Sequence, residues 1–431
     1  MHKPIALSHE FKGVLDQLEY TRDHLFITGR AGTGKSTLLQ VFRNTTSKKV
    51  IVLAPTGIAA LNVRGQTIHS FFGFPPKLMD RTEIVKRKNY RLYCNIDLII
   101  IDEISMVRAD MIDNIDWFLR INRGINQAFG GVQMVFFGDL FQLPPVVATP
   151  FEKQYFMTTY TSPYFFAAHI MQYIDLKMIE LHHVYRQDER FFINLLDNIR
   201  TNACDYDDII TINERYLPTP EEKSFYITLC SRNDIAQKIN EQELRLLQTP
   251  LFTYAGTVTG SFDPKLFPTE YNLVLKEGAQ VMFVKNDALK RYVNGTIGIV
   301  TVCTPDEVQV AIEDEYQDRQ FITLEKDTWE VLKYDKDPNE PSKITTQVIG
   351  TFQQYPIKLA WAITIHKSQG KTFEKVIIDM GRGAFESGQT YVALSRCKTF
   401  DGIILKQPLQ PKDMILDDRI VEYYEQIKYL S

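Results

Sequence analysis

The sequence predicts an α/β protein: two units built on parallel sheet, the second interrupted by a small β-barrel-like insertion. Three observations predict it. Short apolar runs alternate with helical stretches in the first part of the chain. The same alternation resumes from about Leu181. Between Tyr254 and about Pro356 it gives way to β-branched residues and Gly, Pro-Asn and Asp-Pro turns. Strands separated by helices imply parallel sheet covered on both faces, whereas closely spaced strands with turn residues imply an all-β module.

The elements follow in order. Leu25–Thr28 is a short apolar run that ends in a glycine loop. Val50–Ala54 (VIVLA), Leu98–Asp102 (LIIID) and Val132–Phe137 (VQMVFF) read as buried strands. Ser36–Phe42 and Met111–Ile121 read as helices between them. Further on, Phe191–Arg200 and Asp234–Leu247 look helical and Tyr226–Cys230 looks like a strand. Asn294-Gly295 and Asp337-Pro338-Asn339 mark turns in the β-rich stretch. Val376–Met380 and Gly402–Leu405 are strand-like again, with Thr390–Ser395 between them. The expected boundaries are 1–180 for the first unit, with a small insertion at about 64–76, then 181–253 with 358–431 for the second, and 254–357 for the insert.

Composition narrows the function classes. The 431 residues carry 49 Lys+Arg against 53 Asp+Glu, a net charge of −4. That excludes a protein that holds nucleic acid by bulk charge, but it permits a basic groove on one face. Five scattered cysteines without a CxxC pair predict neither a disulfide framework nor a structural zinc site. No apolar run is long enough to span a bilayer, and MHKPIALSHEF has no signal or transit character. A cytoplasmic protein, nucleoid-associated or phage-encoded, is expected.

Gly29-Arg30-Ala31-Gly32-Thr33-Gly34-Lys35-Ser36 matches G-x-x-x-x-G-K-[ST] between a strand and a helix. Glycines let backbone N–H groups curl around phosphate oxygens, and the helix start adds partial positive charge. Lys35 suits the β/γ-phosphates and Ser36 suits Mg²⁺. Leu98-Ile99-Ile100-Ile101-Asp102-Glu103 supplies an apolar strand ending in acids. Asp102 is placed to hold a Mg²⁺-bound water and Glu103 to draw a proton from the attacking water. Gln142, in Gly138-Asp139-Leu140-Phe141-Gln142, is suited to orient water at the γ-phosphate. Arg186, in Val184-Tyr185-Arg186-Gln187, and Arg396, in Leu394-Ser395-Arg396, are candidates to neutralise phosphate charge. For each arginine taken singly, a surface ion pair is the bland alternative.

Taken in order, GRAGTGKS, APTGIAALNVRGQTIHSFF, IIIDEISM, FGGVQMVFFGDLFQLPPV, VYRQ, AWAITIHKSQGKTF and YVALSR resemble superfamily 1 helicases. The pattern is most similar to the PIF-type (petite integration frequency) family of superfamily 1B, relatives of RecD. LKEGAQVMFVKND followed by VNGTIGIV belongs to the same resemblance, which runs from about Leu7 to Leu405. It implies two RecA-like P-loop NTPase domains with ATP between them and a small Src-homology-type β-barrel inserted in the second. It implies ATP and Mg²⁺ as cofactors, with Thr37 and Gly370 completing the nucleotide-binding set. It also implies 5′→3′ translocation on single-stranded DNA and duplex unwinding at single-strand/duplex junctions, by a monomer or a DNA-induced dimer. Unwinding of G-quadruplexes and RNA–DNA hybrids, and work in replication, repair, recombination or telomere-type maintenance, are further family traits. One departure stands out. Related helicases place a glutamine soon after the Leu-Ser pair, whereas Phe11 follows Leu7-Ser8-His9-Glu10 here and the nearest glutamine is Gln17. Adenine selectivity is therefore less secure than ATP hydrolysis, and acceptance of other nucleotides is an open expectation.

A sequence-tolerant motor holds a strand by stacking bases and gripping phosphates. Pro55 and Thr56 follow a strand end, and His69 and Phe72 lie in Thr67-Ile68-His69-Ser70-Phe71-Phe72. Core filling is the alternative for the two phenylalanines. Thr364, His366, Lys367 and Ser368 offer the same mixture in the second unit, and Lys285 and Asn286 precede a turn of the insert. The basic run from Lys77 to Arg91 reads as a solvated face. Trp117, Trp329 and Trp361 read as packing residues. The competing functional readings are a DNA-binding phosphate-loop switch that does not move, and an RNA-binding or scaffold protein with a vestigial ATPase.

Overall fold

The computed structural model describes residues 8–220, 224–313, 318–337, 340 and 343–430. The chain divides into two compact units. One holds the chain up to Tyr185 together with Val331–Ile349 and the segment from Asp417. The other holds Arg186–Glu330 and Gly350–Leu416.

The first unit is built on six strands: β1 (His24–Gly29), β2 (Val50–Ala54), β3 (Gln66–Thr67), β4 (Leu98–Ile101), β5 (Gln133–Phe137) and β6 (Leu176–Leu181). Their order is β3-β2-β4-β5-β1-β6, and every pair is parallel. β4 is apolar throughout and β5 is apolar after Gln133, and both are buried along their whole length, as strands covered on both faces must be. Phe11, Val14 and Leu18 recur at helical spacing on His9–Tyr20 and bury one stripe against Leu38, Leu39 and Phe42 of Lys35–Thr45. Each such side chain contributes roughly 1.5–3 kcal/mol on burial. Ser8 Oγ accepts from Phe11 N at 3.2 Å and starts the first helix. Leu7, the residue before it, lies outside the described residues.

The second unit carries β7 (Ile227–Cys230), then β8 (Leu251–Ala255), β9 (Thr257–Gly260), β10 (Asn272–Lys276), β11 (Gln280–Phe283), β12 (Ile297–Cys303), β13 (Val308–Glu313) and β14 (Arg319–Thr323). A hairpin of β15 (Asp327–Lys336) and β16 (Ile344–Gln354) follows, then β17 (Ile357–Leu359), β18 (Ala362–Thr364), β19 (Val376–Asp379) and β20 (Ile403–Leu405). A parallel sheet of order β18-β7-β19-β20 is the second α/β core. The intervening strands form an antiparallel sheet β14-β13-β12-β11-β17, the pair β10-β8, and the sheet β15-β16-β9. Val281, Phe283, Val310, Ile312 and Ile357 fill the core of this β region. Gln280 ties it to the second parallel sheet: its buried amide donates to Tyr226 O at 2.7 Å and Ala360 O at 2.9 Å and accepts from Phe225 N at 3.0 Å.

Three segments depart from the expected boundaries. β6 begins ahead of position 180 and pairs with β1, so the first sheet runs to Leu181. The C-terminal helix Asp418–Leu430, expected in the second unit, belongs to the first. Ile420, Tyr424 and Ile427 are buried, Tyr424 Oη meets Thr28 Oγ1 at 2.5 Å, and Tyr423 stacks on Phe166 at 4.2 Å. Residues 331–349 of the β hairpin also belong to the first unit. There the Tyr334 hydroxyl accepts from Val52 N at 3.2 Å, and Tyr334 N donates to Gln66 Oε1 at 3.1 Å. These contacts are polar and specific, so apolar patterning does not reveal them. Pro338 and Asn339, of the expected turn, lie outside the described residues. Among the described residues, no helix is long and apolar enough to cross a membrane, and no group of three or more His, Cys, Asp or Glu could hold a metal.

Candidate nucleotide and nucleic-acid sites

The phosphate loop leaves β1 through left-handed backbone. Gly29, Gly32 and Gly34 have φ of 144°, 86° and 81°. A Cβ on Gly29 would stand 2.5 Å from Leu181 O, and one on Gly34 would stand 2.9 Å from the Phe11 ring. Only glycine serves at these positions, for backbone reasons and for space. Thr33 is buried, and its hydroxyl donates to Arg30 O at 3.0 Å. Lys35 opens the helix Lys35–Thr45, and its Nζ donates to Gly29 O at 2.6 Å and Arg30 O at 2.9 Å. Ser36 and Thr37 are exposed in the first helical turn.

The acids stand at neighbouring strand ends, since β4 pairs with β5 and β5 with β1. Asp102 follows β4 and is buried; burial, then the charge of Glu103, pushes its carboxyl up to about 7, against a smaller downward pull from Lys35. Glu103 is half-buried and has φ 51°, an uncommon conformation for a side chain of its size. Backbone strain of this kind collects at functional positions. Gly138, after β5, permits the close approach: a Cβ there would lie 2.9 Å from Ile104 Cγ2. Gln142 is buried, with Nε2 at 3.4 Å from Asp139 Oδ2.

These residues fit a magnesium–nucleotide. The glycine cradle presents N–H groups, and a buried carboxyl held up by its own surroundings is relieved by a divalent cation. The Ser36 hydroxyl and the Asp102 carboxyl offer oxygen atoms of the kind such an ion takes.

In the second unit the candidates gather around the loop after β18. Arg396 is buried; it donates to Val392 O at 2.9 Å, Lys371 O at 3.3 Å and Ser395 Oγ at 2.8 Å. Arg186 is half-buried and donates to Ser395 O at 3.0 Å, so both guanidinium groups meet at Ser395. Gly370 turns with φ 76°. Thr364 Oγ1 caps the short helix Ile365–Ser368, accepting from Lys367 N at 3.3 Å. His366 Nε2 lies 3.1 Å from Glu386 Oε2, and Lys367 is exposed.

The structure corrects several nucleic-acid candidates. Phe72 is fully buried, stacked on Phe74 at 5.3 Å and edge-on to Phe118 at 5.1 Å, so it packs the core and is no base platform. Ser368 is also fully buried, and its hydroxyl donates to Ile365 O at 2.7 Å, a bond internal to its own turn. His69 is half-buried; burial first, then Arg108, holds its imidazole below the usual range. Thr56 is exposed, and its Oγ1 accepts from Ala59 N at 3.3 Å beside a half-buried Pro55. Asn286 is exposed and accepts from Asn294 N at 2.7 Å, while Lys285 is taken by Asp327 at 2.5 Å. Trp117, expected to pack, is 37% exposed, with Arg81 over its ring.

Sequence reasoning missed two structural roles. Arg87, inside the basic run, donates to Phe72 O at 2.9 Å and Gly73 O at 3.0 Å and clamps that turn. Phe129, Gly130 and Gly131 have φ of 51°, 59° and 75°, and Phe129 N donates to Asp116 Oδ1 at 2.6 Å. This run of positive φ carries the chain into β5; the paired glycines were the visible signal.

A glycine loop closing on a lysine, an acidic strand end and a parallel sheet together define a phosphate-loop nucleotide-binding protein. Residues 6–208 match the model of the PIF1-like helicase family. The chain is 30% identical to the ATP-dependent DNA helicase Pif1 of Bdellovibrio bacteriovorus, over 99% of this chain and 93% of that one. It is 33% identical to ATP-dependent DNA helicase PIF1 of Xenopus laevis over 99% of this chain, but it spans 65% of that longer relative. The crystal structure of Bacteroides sp Pif1 in complex with ADP-AlF4 superposes with a TM-score of 0.90 at 35% identity, covering 98% and 97% of the two chains. The same Bacteroides protein bound to ssDNA superposes with a TM-score of 0.70 at 36% identity, with the same coverage. The chain belongs to the PIF1-like helicase family.

Proposed function

We propose that this chain is an ATP-dependent DNA helicase that translocates 5′→3′ on single-stranded DNA and unwinds duplex at junctions. The observation that carries the reading is the left-handed glycine loop closing on Lys35 in the same sheet as buried Asp102 and half-buried Glu103. The two parallel sheets support an assignment as RecA-like domains, and the antiparallel strands between β7 and β18 support the Src-homology-type barrel reading. The first RecA-like sheet would extend to Leu181. A cytoplasmic setting beside the DNA is part of the same reading. A solved structure of two coordinating Pif1 helicases at forked dsDNA, 35% identical to this chain, supports pairing on DNA as the alternative to a working monomer.

The residues divide the work. Lys35 holds the terminal phosphates, and loop N–H groups hold the rest. Ser36 and Asp102 hold magnesium, which supplies charge neutralisation to the phosphates when bound. Gln142 orients the attacking water, and Glu103 takes its proton. Arg186 and Arg396 neutralise the charge that develops on the transferred group. Thr56, Pro55, His69, Asn286, Thr364, His366 and Lys367 hold the strand.

A strand-displacement assay on 5′-tailed, 3′-tailed and blunt duplexes tests the reading. ATP-dependent unwinding of the 5′-tailed substrate alone is expected, with Lys35→Ala inactive. DNA-stimulated ATP hydrolysis without displacement of any substrate would favour a switch that binds DNA without moving.

A further inference from the structure

We infer that the groove between helix Asn233–Leu246 and strands β10 and β17 grips one backbone phosphate of the single strand, with Lys358 as its inner cation and Lys367 as its outer one. The inference rests on the DNA-translocating reading above, and it adds Lys358, which no motif singles out.

The groove is an open cavity of about 460 Å³. Asn233 and Gln237 line one side; Asn272, Lys358, Thr364 and Lys367 line the other. Its wall is pinned: the Asn240 amide donates to Ala362 O at 2.8 Å and accepts from Ala362 N at 2.9 Å, fixing the helix to β18. Lys358 is the middle residue of β17, whose neighbours Ile357 and Leu359 pack into the β core. Alternation along a strand sends Lys358 to the opposite face.

The charges there are poorly balanced. Burial, then the charge of Lys367, pushes Lys358 down to about 8, and Glu270 offsets only part of this. Lys371 feels Lys358 in turn; burial, then that charge, pushes it down to about 7. Its Nζ donates to Asn294 Oδ1 at 2.6 Å. The other carboxylate lining the groove, Glu241, is already engaged by Gln237 at 2.8 Å and Arg245 at 3.7 Å. Lys358 and Lys367 thus share the groove with Glu270 and the already engaged Glu241, and Lys371 adds a further positive charge that Lys358 repels. An anion placed among them turns that repulsion into attraction. A phosphodiester is the anion that a moving strand presents at every step, and amide side chains on the rim suit contact without sequence preference.

The test uses Lys358→Met, which keeps the length of the side chain and removes the charge. Binding of a fluorescent oligothymidylate is followed by anisotropy across a range of KCl concentrations. Affinity is expected to fall roughly three- to tenfold, and the slope of log K against log salt to become shallower by about 0.7, one phosphate on a single strand. Thermal unfolding without DNA is expected at a higher temperature, since one crowded cation has gone. Lys358→Arg should keep the wild-type slope.

An unchanged slope and affinity in Lys358→Met overturns the inference and leaves the DNA reading intact. A lowered melting temperature together with weaker binding that Lys358→Arg fails to restore assigns the lysine to structure, and also overturns it. Loss of fluorescent ATP binding with DNA binding preserved assigns the groove to the nucleotide instead. Failure of the wild-type protein to bind the oligothymidylate sinks the DNA reading itself.

Discussion

The two parallel sheets end in loops of opposite charge. At the first sheet, Asp102, Glu103 and Asp139 gather beyond β4 and β5, with Lys35 as the adjacent cation. At the second, Lys358, Lys367 and Lys371 gather around the loop after β18, near buried Arg396. Each crowd pays in the same way. Burial first, then the like charge beside it, pushes Asp102 up to about 7 at the acidic end and Lys371 down to about 7 at the basic end. Like charges gathered in buried places are kept where a ligand of the opposite sign relieves them. The acidic end therefore suits a cation with its phosphates, and the basic end suits phosphates alone.

The largest effect expected from breaking this division is at Arg396. Arg396→Ala should lower DNA-stimulated ATP turnover by about 10³–10⁵-fold if the guanidinium neutralises the transferred phosphate. Its buried bonds make it structural as well, so Arg396→Lys and a melting curve accompany the measurement. A folded variant that hydrolyses ATP at near-normal rate removes the residue from the reaction. Glu103→Gln follows, with turnover expected to fall about 10²–10⁴-fold while nucleotide affinity is kept. Nucleotide binding lost in parallel with turnover would instead make Glu103 part of the phosphate cradle.

A smaller effect separates two neighbours in one short helix. His69→Ala should weaken oligothymidylate binding by about 1–3 kcal/mol if the ring stacks on a base. Phe72→Ala should leave intrinsic affinity alone and lower stability, because Phe72 is core. An anisotropy titration beside a denaturant melt reads both. The reverse pattern would exchange their roles.

Much of this was legible. The phosphate loop, the acidic strand end and the strands β2, β4 and β5 follow from spacing and apolar runs, because strands buried on both faces have no polar positions to obscure them. The less legible elements have physical reasons. β6, Leu-Lys-Met-Ile-Glu-Leu, is an edge strand with mixed exposure, so its apolar signal is diluted. β18 is three residues long and lies just before a motif rich in polar groups. Tyr334 and Tyr424 reach partners more than two hundred residues away through hydroxyl bonds, which no local pattern encodes. Phe71 and Phe72 look alike in sequence, and both prove buried. Lys358 was unreadable because its meaning lies in which other lysines stand beside it.

One further test isolates the basic end without any ligand. Lys371 is buried, and its folded-state value, about 7, lies below the usual lysine value of 10.5. The unfolded chain therefore holds that proton more tightly than the folded one, and folding carries a penalty wherever the unfolded chain is protonated. The penalty is full at and below about pH 7 and vanishes as the pH approaches 10.5. Lys371→Met removes it at the cost of the Asn294 bond. The difference in melting temperature between the variant and the wild type should thus be most favourable to the variant at pH 7 and decline steadily toward pH 10. A difference that stays constant across that window would show that the ammonium is already compensated, and the contrast between the two loops would then rest on the acidic end alone.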